Sequence, residues 1–219
     1  ANGDSVYSTL SGGDNSYGTL SGTSMAAPFV TGCCGMIEQF IKEQMSFTPR
    51  SDTVKAFLIH NASGSYNNNV NGKNGYGLPD MKKTLETLEN IKDNNSQYVL
   101  IKDASAKNGY TYTINTNNFD SNSKGDLIIT LVWNDPAPSI VQTNDNAPFE
   151  NIIVNQIGLY CEVGNTIYYP YKINNIDQNA IQQTSNGLNN SLLINYDNVQ
   201  KIHLKNINPS QNINIKLKN

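Results

Sequence analysis

The sequence predicts two unlike parts: an α/β unit over residues 1–92, mainly helices with a few strands, and an all-β antiparallel sandwich over 93–219. Three observations carry this reading. A run of small and apolar residues opening at Gly22-Thr23-Ser24-Met25-Ala26-Ala27-Pro28 has the makings of a buried helix. Two further stretches before residue 92 carry helix start signals and inward-facing apolar positions. From Asp93 onward short alternating runs recur between turn residues, the period-2 pattern of antiparallel strands.

Composition sets bounds on function. Hydrophobic residues make up 37% and charged residues only 15%, so the polarity comes from uncharged side chains. Asparagine, roughly one residue in six, is spread along the chain and not gathered in one tract. A net charge of −3 leaves no electrostatic footprint for nucleic acid or an acidic membrane surface. No stretch approaches the about 18 apolar residues that span a bilayer, and no signal or targeting segment is visible. Cys33 and Cys34 are neighbours on a helix, so their side chains diverge by about 100° and do not face each other. Together with Cys161 they read as three buried thiols, with a bridge from Cys161 to either left open. Asn61-Ala62-Ser63, Asn94-Asn95-Ser96 and Asn189-Asn190-Ser191 fit the N-glycosylation acceptor pattern, which arises easily by chance in so asparagine-rich a chain.

Taken in order, residues 4–10 alternate enough for a short strand, and a Gly/Asp/Asn turn at 12–16 follows. Pro28 belongs in the first turn of a helix, where N–H groups are unpaired in any case, which places the helix start near Thr23 or Ser24. Ala26, Ala27, Gly32 and Gly35 allow close packing, and Phe29, Val30, Met36, Ile37, Phe40 and Ile41 make the helix apolar nearly all round, to about Gln44. Thr48-Pro49-Arg50-Ser51-Asp52 signals a second helix, ending near 61–64, with His60 placed where a cation complements the helix dipole. A polar loop spans 63–75, and a third helix at about 80–90 turns Leu85 and Leu88 inward. Strands are expected at 97–101, 109–114, 126–133, 152–162, 166–171, 192–195, 199–205 and 211–217, with Leu127–Trp133 the strongest core strand.

A serine at a helix N-terminus has its own N–H directed at a developing oxyanion while its hydroxyl faces a cleft. Gly22-Thr23-Ser24-Met25-Ala26-Ala27-Pro28 resembles the nucleophile motif of the subtilisin-like serine proteases (subtilases), and the resemblance makes Ser24 the acyl-forming serine. It implies that Gly22, Thr23 and Met25 support the oxyanion site and flank the serine, and that Leu20 and Ser21 line the substrate cleft. Gly75-Tyr76-Gly77-Leu78-Pro79-Asp80 resembles the subtilase segment leading into the last catalytic-domain helix. Leu131–Pro136 followed by Ile153–Leu159 resembles the jelly-roll domain that some large subtilases carry after the catalytic domain. The alternative for Ser24 is a helix cap without chemistry.

Acyl transfer by serine needs a base and a group to orient it. In subtilases the chain order is Asp, His, Ser, and only 23 residues precede Ser24 here. His60 and His203 read as surface or packing histidines. The expectation is therefore a fragment of a serine endopeptidase that holds the nucleophile but not the catalytic Asp, the His or the oxyanion Asn, and is inactive alone. Its partners would be a polypeptide substrate and the upstream part of the same protease domain, with no nucleic acid. The resemblance implies a secreted, cell-surface or endomembrane-lumen location. Two other classes compete. One is a non-catalytic pseudoprotease or β-sandwich binding module. The other is an α/β-hydrolase-type esterase, since Gly22-Thr23-Ser24-Met25-Ala26 partly matches a nucleophile elbow and His203 lies downstream. No cofactor or metal site is assigned. Asp135, Asp145 and Glu150 share a loop that leaves calcium open for the parent protein, although Gln156 and Gly158 stand where family jelly rolls often carry Asp.

Overall fold

The computed structural model describes residues 3–63, 70–101, 109–114, 124–138, 153–172, 180–193, 197–207 and 212–219. It combines three helices with several antiparallel sheets, an α/β mixture. Strands β1 (Val6–Thr9) and β2 (Tyr17–Leu20) form a hairpin, followed by helices α1 (Thr23–Gln44), α2 (Ser51–His60) and α3 (Met81–Lys92). Then come β3 (Tyr110–Ile114), β4 (Gly125–Val132), β5 (Gly158–Val163), β6 (Thr166–Lys172), β7 (Ile181–Ser185), β8 (Val199–Ile207) and β9 (Ile213–Lys218). Five strands make one sheet in the order β3-β9-β5-β6-β7, and β4 pairs with β8 in a second.

The helices meet through one stripe. Ile37 and Ile41, a turn apart on α1, are fully buried with Leu88 of α3 and Phe57 of α2. Burying such side chains stabilises by about 2 kcal/mol each. Leu85 joins Leu88 at this core, as its spacing predicts. The prediction that α1 is buried all round fails: Phe29 and Met36 stay nearly half exposed, and a Cβ on Gly32 or Gly35 would meet nothing within 4 Å. Pro28 lies five residues inside α1 instead of in its first turn, so it has no N–H to give the Ser24 carbonyl four residues back. Helix α2 starts at Ser51, and Thr48 does not cap it. The nearly buried Asp52 carboxylate accepts the Thr53 N–H at 2.8 Å and pairs with the Arg50 guanidinium at 2.8 Å. Asp80 caps α3, accepting the Lys83 N–H at 3.0 Å.

The β4–β8 ladder is a middle layer. Ile129 of β4 and Ile202 and Leu204 of β8 face Leu159, Cys161 and Val163 of β5 and Ile213 and Leu217 of β9 in one apolar cluster. Gln200 on β8 is buried there with both ends used: its Oε1 accepts the Leu159 N–H at 2.7 Å, and its Nε2 donates to the Ile157 carbonyl. The opposite face of the ladder meets α2. Lys201, paired across from Thr130, donates from Nζ to the carbonyls of Ile59 (2.7 Å) and His60 (3.0 Å), the last of α2. Burial lowers its pKa to about 8, which leaves it charged at neutral pH and able to serve the helix C-terminus. The expected cation at that terminus, His60, is not one. Burial and the neighbouring Lys201 push its imidazole down to about 4, and its Nδ1 lies 3.1 Å from Thr130 Oγ1.

Several strand expectations change. Segment 97–101 is not a strand: Val99 and Ile101 remain exposed, and Leu100 docks on the helical core. The strand expected at 152–162 begins only at Gly158, because the backbone before it is tied to Asp135. At 192–195 the chain instead makes a short 3-10 turn, Asn190–Leu192, while residues 194–196 lie outside the described residues. Strands β2 and β7 were not anticipated; both are short, and β7 carries one aliphatic residue. Cys33 and Cys161 are buried, but Cys34 is only half-buried, and all three thiols are free. Part of the 63–75 loop, residues 64–69, lies outside the described residues, as do Asp145 and Glu150.

Candidate active site

Ser24 stands at the second position of α1, exposed, just after the β1–β2 hairpin. The turn that delivers it is built almost wholly from backbone. Gly22 adopts φ 149° and ψ 174°, a conformation open only to glycine, and this allows the chain to leave β2 and enter the helix within two residues. The Gly22 N–H donates to the Gly3 carbonyl at 2.7 Å, and the Gly22 carbonyl accepts from Met25 and Ala26 at 3.1 and 3.3 Å. Ser21 is held twice: its hydroxyl donates to Asp4 Oδ1 at 2.7 Å and accepts the Ser5 N–H at 2.8 Å. Leu20 closes β2 opposite Val6 and is about half exposed.

The consequence for Ser24 is electrostatic. The N–H groups of Thr23 and Ser24 have no partner among the described residues. No side chain caps the helix, and its first turn holds no acid. The positive end of a 22-residue helix is thus left uncompensated beside an exposed hydroxyl. That arrangement suits an anion or a developing negative charge. Met25, partly buried, and the exposed Thr23 flank the serine.

Two residues at this turn escaped sequence reasoning. A Cβ on Gly3 would lie 2.5 Å from the Gly22 carbonyl oxygen and 2.9 Å from Ala26 Cβ, so the hairpin docks on the helix only with glycine there. Asp4 fastens Ser21 from 17 residues away. The signal was the Gly3-Asp4-Ser5 triplet before β1, which by itself reads as any turn.

Neither histidine reaches Ser24. His60 is partly buried against Thr130, and His203 Nε2 lies 3.0 Å from Asp126 Oδ2 on the β4–β8 ladder. The His203 hydrogen bond is the main influence holding the Asp126 carboxyl below the usual carboxylate range. Asp135, the described member of the candidate calcium loop, is surrounded by donors. Partial burial pushes its carboxyl up, but bonds from the N–H groups of Val154 (2.6 Å) and Asn155 (2.9 Å), from Asn155 Nδ2 and from Trp133 Nε1 outweigh this and hold it low. Among the described residues no cluster of three His, Cys, Asp or Glu side chains is arranged for a metal ion, and no helix is long and apolar enough to cross a membrane.

Comparison with known proteins points the same way as the turn geometry. The chain is 28% identical over 137 residues to the serine protease/ABC transporter B family protein tagA of Dictyostelium discoideum. That match takes in 56% of this chain and 8% of the tagA protein, so the chain spans less than a tenth of its relative. The model of the subtilase family matches residues 2–77, a stretch that includes the hairpin, the Gly22 turn, α1 and α2. Residues 2–77 are thus a subtilase-like segment, similar to serine proteases.

Proposed function

We propose that this chain carries the nucleophile of a serine endopeptidase that cleaves peptide bonds through an acyl-enzyme. The observation that carries the reading is Ser24 exposed at an uncapped helix N-terminus, with the N–H groups of Thr23 and Ser24 unpaired among the described residues. Ser24 Oγ attacks the scissile carbonyl carbon, and its proton passes to an imidazole outside these residues, since both histidines here are engaged elsewhere. The Ser24 N–H, together with an asparagine amide that the subtilase resemblance implies, receives the oxyanion. Gly22, Thr23 and Met25 hold that geometry, and Leu20 and Ser21 border the substrate. The acyl transfer uses side chains and backbone and calls on no cofactor. By itself the 219-residue chain is expected to be inactive.

We read residues 1–92 as the C-terminal portion of the catalytic domain and 93–219 as a jelly-roll-like domain. The shared apolar cluster between the five-stranded sheet and the β4–β8 ladder supports the second assignment. The protease reading places the segment in the lumen of the secretory pathway or outside the cell. A second reading, a pseudoprotease or binding module, draws on the lack of any base beside Ser24 among the described residues. The α/β-hydrolase reading gains no such support: the Asp126–His203 pair lies on the β4–β8 ladder with no bond to Ser24, and the strands after α3 pair antiparallel.

Treating the full-length protein with a serine-directed phosphonate and mapping the adduct by mass spectrometry tests the assignment. The adduct is expected on Ser24. An adduct on another serine refutes the site, and a protein that takes no label at all selects the pseudoprotease.

A further inference from the structure

Three acceptor motifs for N-linked glycans lie in the chain, and the fold treats them differently. Asn61 is 1% exposed. Its Nδ2 donates to the Phe57 carbonyl at 3.3 Å, and its Oδ1 accepts the Thr87 hydroxyl at 2.9 Å. A saccharide on that nitrogen has no room in the interface between α2 and α3. Asn94 is exposed in the turn after α3 with φ 57°, and among the described residues its amide takes no bond from Ser96.

Asn189 differs from both. Its main chain is anchored: the Asn189 N–H donates to the hydroxyl of Tyr169, itself a core residue at 1% exposure. Its side chain is exposed, and Oδ1 accepts both the Ser191 N–H at 3.1 Å and the Ser191 hydroxyl at 2.7 Å. The amide oxygen and the hydroxyl that define the motif are therefore in contact on one rigid surface turn. The nitrogen that would carry the sugar is used by no other described group. The neighbouring residues 186–191 are all exposed, so a bulky polar addition displaces nothing.

We propose that Asn189 is an N-glycan acceptor. This rests on the reading that places the segment in the secretory lumen. In the transfer, a bond forms between Asn189 Nδ2 and the anomeric carbon of an oligosaccharide donated from a lipid diphosphate. The anomeric carbon–oxygen bond breaks, the diphosphate departs with the electron pair, and one Nδ2 proton goes to a base of the transferase. The glycan then stands off the 3-10 turn Asn190–Leu192, well separated in sequence from the Ser24 turn.

The test uses the full-length protein in its own cells. Enzymatic deglycosylation in heavy-oxygen water turns a glycosylated asparagine into a labelled aspartate that peptide mapping detects, and protease protection of intact vesicles reports which side of the membrane the segment faces. The expected result is a protected segment with label at Asn189 and none at Asn61. Ser191→Ala should reduce the Asn189 label to background, while Ser191→Thr should retain it. A protected segment with unlabelled Asn189 overturns the site assignment while sparing the luminal reading. A segment digested in intact vesicles overturns both. Label that persists in Ser191→Ala also overturns it, because the hydroxyl contact is then irrelevant.

Discussion

The turn around Ser24 and the seam between α2 and the β4–β8 ladder are held by opposite means. At the turn, backbone does most of the holding: Gly22 to Gly3, Met25 and Ala26 to Gly22, with Asp4 fastening Ser21 and a glycine at position 3, where a side chain would collide. Large apolar groups nearby face solvent, among them the stacked Tyr7–Tyr17 pair and Phe29. At the seam, side chains do the holding. Lys201 reaches the carbonyls of Ile59 and His60 across more than 140 residues of sequence, and Gln200 and Ile202 beside it are sealed from water. On the protease reading proposed above, the turn presents a hydroxyl and free N–H groups to a substrate, and its shape comes mostly from glycine and main-chain bonds. The seam has no such duty and is free to satisfy every group. The packed core and the exposed Ser24 turn therefore lie in different parts of the chain.

The largest effect on stability should come from the buried side. Ile202 is fully buried between the two sheets, so Ile202→Ala removes its burial and leaves a cavity, costing about 2–5 kcal/mol. Urea unfolding of the chain measures this as a lower midpoint at unchanged slope. A loss under about 1 kcal/mol would mean that the two sheets do not share a core.

Legibility in the sequence follows the same divide. The helices were readable because the apolar stripe of α1 and the spacing of Leu85 and Leu88 are local signals, although Pro28 lies deeper in α1 than a first-turn proline should. Strands β3 and β9 were readable because they alternate, and β4 because Leu127–Val132 is an almost unbroken apolar run. Strand β7, Ile-Gln-Gln-Thr-Ser at a sheet edge, has almost nothing apolar to alternate, and its pairing with β6 is decided by distant residues. Segment 97–101 shows the converse, an alternating run to which the fold gives no partner strand. At the site, Ser24 and Gly22 were legible as a motif, but Gly3 and Asp4 act only across the hairpin and were not. His60, read as a surface or packing histidine, packs against Thr130, but its link to the helix dipole does not hold. Position within α2 suggested a cation for the dipole, and the cation arrives from β8.

That arrangement makes the seam sensitive to acid. The folded state holds a proton on His60 only below about 4, while the unfolded chain binds it from the ordinary value of 6.5. Between these values the unfolded state carries the extra proton, so stability rises with pH through this window. Present in full above 6.5, it is lost as pH falls toward 4, by up to about 3 kcal/mol. Replacing His60 by Gln removes this titration. The difference in unfolding free energy between pH 7 and pH 4 should shrink accordingly, and an unchanged pH dependence would show that His60 titrates normally in the fold.

The smallest effect belongs to the exposed side, and it is the sharper test of the contrast. Phe29 lies on α1 one turn beyond Ser24, 47% exposed, and the adjacent Gly32 faces open space. An aromatic ring so placed adds little to the folded state over the unfolded one, and in water it is a liability. Phe29→Ser should therefore change stability by no more than about 0.5 kcal/mol, despite deleting a whole ring from a helix. Replacing Ile41 on the same helix should cost several times as much, because it is fully buried against the α2–α3 pair. Measured side by side at low protein concentration, the two variants separate a face that is open from one that is packed. If Phe29→Ser cost as much as Ile41→Ala, that face of α1 would be covered in solution, and the division between a backbone-held site and a side-chain-held core would fail at the helix they share.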